Sequence, residues 1–161
     1  AEDGQSAELH LVRSNPIVRA LKTPQNAVIA VQGPDSYISP DWYEVPDQVP
    51  TLNYVAVHVR GTLELMPQDG LHDMLDRISA HFEPRLAPKK EWLTSKMTDG
   101  VMDRMMRMIV PCRMTVASIG GTWTLGQNKD AAVRQRAAAK VETDGIGSGL
   151  MQLAGWMRDV P

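Results

Sequence analysis

Apolar positions along this chain alternate more often than they recur at helical spacing, and the clearest alternation lies in the middle. From residue 52 to 60, Val55, Val57 and Val59 fall on one side and Tyr54, Ala56, His58 and Arg60 on the other, which predicts a strand with one apolar face. Gly61 is expected to break it, with residues 62–66 continuing as a second stretch before Pro67. Residues 7–12 form a short mixed strand. The run Ala-Val-Ile-Ala-Val at 27–31 is apolar throughout, as in a central strand buried on both faces. Gly33-Pro34-Asp35 reads as a turn, so residues 36–39 return as the second arm of a hairpin. Residues 113–119 and 122–125 flank Gly120-Gly121, the two-residue connection of a tight hairpin.

Helical spacing is confined to a few segments. Residues 69–83 set Leu71, Met74, Leu75, Ile78 and Phe82 on one stripe, with Asp69 suited to the cap. Residues 99–109 do the same with Val101, Met102, Met105, Met108 and Ile109, which points to core packing for the methionines. Residues 128–141 are alanine-rich, with Asn128 or Asp130 as cap. Ser14-Asn15-Pro16 opens a brief helix over 17–21. Residues 41–50 hold three acidic residues and two prolines and read as a loop, in which Trp42 and Tyr43 are expected to pack on something. Residues 145–149, Gly-Ile-Gly-Ser-Gly, read as a flexible connector into an apolar tail over 150–156. Six or seven strands gathered without strict strand-helix alternation favour a mainly β fold, a β-barrel with helices packed outside.

Length and charge narrow the classes. With 161 residues, one domain over 1–161 is the expectation, and 43% hydrophobic against 22% charged residues is the balance of a chain that folds. The chain starts at Ala1 with an Asp3-Gly4 turn leading into a strand, so elements are expected to be missing upstream. A net charge of −2 offers no positive field for a polyanion, so direct nucleic-acid binding is not supported, and no helix-turn-helix is readable. No run of eighteen apolar residues and no basic, apolar leader occurs, so neither membrane nor export is implied. The single cysteine, Cys112, belongs to no ligand-spaced cluster; a reducing cytoplasm is the natural setting, and Cys112 reads as filler.

Candidate chemistry is sparse. His10, His58, His72 and His81 show no metal-ligand spacing, no Gly-x-Ser-x-Gly occurs, and the glycines at 145–149 lack the Lys-Ser/Thr ending of a phosphate loop. What remains is a set of polar residues on or beside strands: His10, Arg13, Ser39, Thr51, Asn53, His58, Gln127 and Asn128. With Tyr37, Trp42, Tyr43 and Trp123 nearby in sequence, they have the character of a site for a flat, polar, phosphorylated ligand.

Several co-linear segments carry a resemblance: HLVRSNP at 10–16, VQGPDSYISPDWY at 31–43, VPTLNYVAVHVRG at 49–61, Ile109-Val110, and WTLGQN at 123–128. Together they resemble the PaiB-like FMN-binding negative transcriptional regulators. That resemblance implies a split β-barrel related to pyridoxamine phosphate oxidase, a cytoplasmic homodimer, and FMN held in clefts at the subunit interface. By position it makes His10, Arg13 and Ser39 phosphate-side candidates, and His58, Trp123, Gln127 and Asn128 ring-side candidates; Thr51 and Asn53 stand at the entrance of the same strand. The chain departs from the family in having no lysine in the loop after Tyr43, in Thr124-Leu125-Gly126-Gln127-Asn128 where Lys-Leu-Ser-Gln-Asn is usual, and in a divergent tail over 143–161. The function implied is an FMN-binding protein with an indirect negative effect on transcription. Alternatives are an FMN-dependent oxidoreductase acting on a small molecule and a degenerate barrel without flavin.

Overall fold

The computed structural model describes residues 4–160, so Asp3 of the expected opening turn lies outside the described residues. Five strands form one sheet in the order β1-β4-β3-β2-β5: β1 Ser6–Val12, β2 Gln25–Ile38, β3 Thr51–Leu65, β4 Ile109–Thr124 and β5 Ile146–Ser148. Beside them stand α1 Pro16–Ala20, α2 Leu71–Phe82, α3 Val101–Met106, α4 Ala131–Asp144 and α5 Leu150–Asp159. The mainly β character with flanking helices is as expected. The sheet, however, is open, with β1 and β5 at its ends.

Strand breaks predicted at glycines are absent. β2 runs through Gly33-Pro34, β3 through Gly61, and β4 through Gly120-Gly121, so two expected hairpins are single long strands. A glycine in a strand marks close backbone approach as readily as a turn. At Gly61 a Cβ would lie 2.0 Å from the Thr115 carbonyl oxygen. The glycine lets the two strands meet.

The chain divides into two compact units, residues 1–28 with 60–118 and residues 29–59 with 119–161. In the first, β1 pairs antiparallel with β4, Leu9 opposite Cys112, and β4 buries the run Val110, Pro111 and Cys112 and then Met114. Cys112 is fully buried, as expected of filler, and burial pushes its thiol up. Asn15 caps α1 by accepting from the Ile17 N–H at 2.9 Å. In α2 only Leu71 and Met74 are fully buried, whereas Ile78 and Phe82 at the other end of the predicted stripe are exposed. Gly70, not Asp69, occupies its N-cap. α3 is shorter than predicted, and Met105 and Met108 are exposed, so core packing does not account for them.

The second unit carries one continuous core. Ile38, Tyr43, Val55 and Leu125 meet Ala137, Ala138 and Val141 of α4 and Leu153, Ala154 and Met157 of α5, with Trp42 packed against the cluster. Trp42 and Tyr43 thus find the packing expected of them. Small alanines at 137 and 138, three and four residues beyond the buried Arg134, let α4 and α5 pack together. The expected flexible connector is instead β5, antiparallel to β2 with Ser36 opposite Gly147, and the tail beyond it is helical. The run at 27–31 lies in a strand, yet Val28 and Val31 are more than half exposed, against the expectation of burial on both faces.

Candidate functional site

The second unit contains a cavity of about 280 Å³ lined by Tyr43, Val49, Thr51, Asn53, Thr124, Gly126, Gln127, Asn128 and Lys129. Three segments supply it: Tyr43 and Val49 from the stretch before β3, the start of β3, and the end of β4 with the turn into α4. Strand alternation turns Asn53 and Val55 inward and Leu52 and Tyr54 outward. Gly126 adopts φ +77°, a left-handed conformation that glycine takes without strain, and the Lys129 N–H donates to its carbonyl at 3.0 Å.

Each lining side chain has a distinct state. Asn53 is 1% exposed and its Nδ2 has no hydrogen-bond partner, alone among the buried side-chain polar atoms of the described residues. A buried donor left unpaired costs on the order of 1–3 kcal/mol, so this amide is available to a group that brings an acceptor. Gln127 is used at both ends: its Oε1 accepts from the Leu125 N–H at 2.8 Å and its Nε2 donates to the Trp123 carbonyl. It clamps the turn. Lys129 donates from Nζ to Gln48 Oε1 and stands 5.1 Å from the Tyr43 ring centroid, a cation-π distance. Burial pushes the Tyr43 phenol up from its ordinary value. No carboxylate lines the cavity.

Behind the wall, Arg134 is 5% exposed and pairs with carbonyls alone, donating from Nε to Met157 O at 2.8 Å, from Nη2 to Val160 O at 2.6 Å and from Nη1 to Lys129 O at 3.1 Å. It thereby caps the C-terminal end of α5 and holds the Lys129 backbone.

Of the residues expected at the site, Thr51, Asn53, Gln127 and Asn128 come together here. The others do not line it. Trp123 is half-exposed and packs on Trp156 with ring centroids 5.1 Å apart. Ser39 Oγ accepts from the Asp41 N–H at the turn over Pro40–Tyr43, and His58 is half-buried further along β3. His10 and Arg13 belong to the first unit. There Arg13 donates from Nε to Arg107 O at 2.8 Å and from Nη2 to Gln68 Oε1 at 3.0 Å and Ile109 O at 3.3 Å, binding the segment that follows α3. Lys129 escaped the sequence reading. Its signal was position, directly after Gln127-Asn128, but its pairing with Gln48 bridges 81 residues.

Comparison with known proteins supplies the context. The family described as "Putative FMN-binding domain" matches residues 1–118. The chain is 28% identical over 121 residues to Protease synthase and sporulation protein PAI 2 of Bacillus subtilis, covering 75% of this chain and 57% of that protein. This is a PaiB-like member of the FMN-binding family. It is also 35% identical over 94 residues to Uncharacterized protein YKL070W of Saccharomyces cerevisiae, covering 55% of each. The chain therefore spans little more than half the length of these curated relatives. Among solved structures, the FAD and heme binding protein from Mycobacterium smegmatis matches at a TM-score of 0.50 and 17% identity, over 89% of this chain and 62% of that one. That likeness concerns the fold, which is of the flavin-binding split-barrel kind.

FMN is the cofactor of the family, and the cavity fits an acceptor-rich part of it. The unpaired Asn53 amide, the hydroxyls of Thr51 and Thr124 and the Lys129 ammonium are donors, while the phosphate and dioxopyrimidine of FMN offer acceptors. At about 280 Å³ the cavity lies just below the roughly 300–1,000 Å³ of whole small-molecule sites, a size that suits one end of such a ligand. When bound, FMN would supply electron transfer, and these residues are the donors that would hold and orient it.

Proposed function

We propose that this chain is an FMN-binding protein of the PaiB type that acts in the cytoplasm as a homodimer, with an indirect negative effect on transcription. The observation that carries FMN binding is the buried, unpartnered Asn53 amide in a cavity lined by donors and by no carboxylate. Thr51, Asn53 and Asn128 are given the ligand contacts, with Gln127 shaping the turn that presents them. Arg13 and Ser39 are given none here, because neither lines this cavity. An indirect effect on transcription accords with a net charge of −2, which gives DNA no electrostatic handle. A cytoplasmic setting is supported by the lone buried cysteine, and among the described residues no helix is long and apolar enough to cross a membrane. The homodimer reading rests on apolar side chains left exposed on the second unit.

The test is to purify the full chain, record its visible absorption and melt it with and without added FMN. Bound flavin should give its visible band, and a hundredfold excess of FMN over Kd should stabilise the fold by about 2.7 kcal/mol. No flavin band together with no FMN-induced stabilisation rejects the reading. Photoreduction followed by a nicotinamide-oxidation assay then separates an oxidoreductase from a binder.

A further inference from the structure

We propose that Lys129, with Asn53, forms the anion-binding end of the second unit's cavity and takes the phosphate of FMN; the assignment of the phosphate rests on the FMN reading above. Lys129 is the one charged side chain lining the cavity. Its Nζ is held by a neutral partner, Gln48 Oε1, and by the Tyr43 ring, and among the described residues no carboxylate lies within ion-pair distance of it. Lys89 and Lys140, by contrast, each pair with a carboxylate, Glu83 and Asp144. A cation positioned by neutral groups keeps its charge available to an incoming anion, and charge-assisted contacts are the stronger class of hydrogen bond.

The rest of the donor set agrees. Asn53 adds a buried N–H with no partner, and Thr51 and Thr124 add hydroxyls. Gly126 lies beside Asn53 in the turn, where its left-handed φ of +77° favours glycine. An ammonium, an amide N–H and two hydroxyls complement the several oxygens of a phosphate dianion. Such a group also matches a cavity sized for one end of a cofactor.

The experiment compares FMN with riboflavin, which lacks the phosphate, on the full chain and on Lys129→Gln and Lys129→Arg, following flavin fluorescence, with melts of each variant as a folding control. The intact chain should prefer FMN; Lys129→Gln should weaken FMN roughly 10- to 100-fold and leave riboflavin unchanged, and Lys129→Arg should recover part of the loss. FMN affinity unchanged in Lys129→Gln, or both flavins weakened equally, overturns the proposal. Should neither flavin bind, inorganic phosphate is the probe: a phosphate-induced rise in Tm that Lys129→Gln abolishes supports the anion site while the FMN reading fails. No response to flavin or to phosphate overturns both.

Discussion

At the residue scale, charges in this protein divide by whether an opposite charge meets them. Glu8 in β1 is met twice, accepting from Arg113 Nη2 at 2.8 Å and Arg77 Nη2 at 2.7 Å. The hydrogen bonds from Arg113 and then Arg77 hold its carboxyl below its ordinary 4.5. A depressed folded-state pKa contributes stability that is present above the unfolded value and lost as pH falls through the folded one. Urea unfolding between pH 7 and pH 3 should therefore show stability declining below about pH 4.5, part of it from this group. Glu8→Gln should cost about 1 kcal/mol at pH 7, since both arginines are half-exposed and their attraction is screened, and should flatten that decline. An equally steep decline in the variant rejects the assignment. Lys129 and the Asn53 amide nitrogen are the opposite case, the first without an ionic partner and the second without a hydrogen-bond partner. The candidate site was legible in sequence as far as Thr51, Asn53, Gln127 and Asn128, because polar residues at strand ends and turns stand out locally. The uses of Arg13 and Lys129 were not, because each is fixed by groups distant in sequence that only the fold brings near.

At the scale of elements, β5 carries the sharpest constraint. Gly147 lies opposite Ser36, and a Cβ on it would stand 2.1 Å from the Asp35 carbonyl oxygen; Ser148 Oγ adds a bond to Asp35 Oδ1 at 2.5 Å. Gly147→Ala should push β5 from β2 at a cost of about 1–3 kcal/mol. Hydrogen exchange would report it, with protection lost between Asp35–Tyr37 and Ile146–Ser148; unaltered protection there would show that the strands accommodate the methyl group. The same glycine explains why this element was read as a connector. Composition registers flexibility, whereas a glycine pressed against a neighbouring backbone is as constrained as any residue. Gly33, Gly61 and Gly120-Gly121 misled in the same way, turning long strands into predicted breaks and hairpins. Elements set by local pattern were legible: α1 with its Asn15 cap, α4 with its alanines, and the alternation of β3.

At the scale of the whole molecule, the unresolved energetic term is apolar surface on the second unit. Val31, Leu52 and Ile119 are each more than half exposed, and Tyr54 is 36% exposed. Leu52 and Tyr54 occupy the face of β3 opposite Asn53 and Val55, so the side of the strand that does not carry the cavity residue is also apolar. Large apolar side chains left exposed are stabilised by burial against a partner, by about 25 cal/mol for each Å² removed from water. A net charge of −2 sets little repulsion against a second copy. Light scattering on the full chain should accordingly give twice the mass of 17.8 kDa, and a Leu52→Asp, Tyr54→Asp double variant should shift it toward the single chain while Asn53 and the core stay untouched. Placing two carboxylates on that face sets their desolvation against any association across it. A monomeric intact chain rejects the homodimer; a dimer that survives both substitutions moves the interface away from this face of β3. Because Asn53 alternates with these two residues along one strand, FMN titration of the double variant further separates ligand binding from assembly: affinity retained in the monomer means that one chain builds the whole contact set.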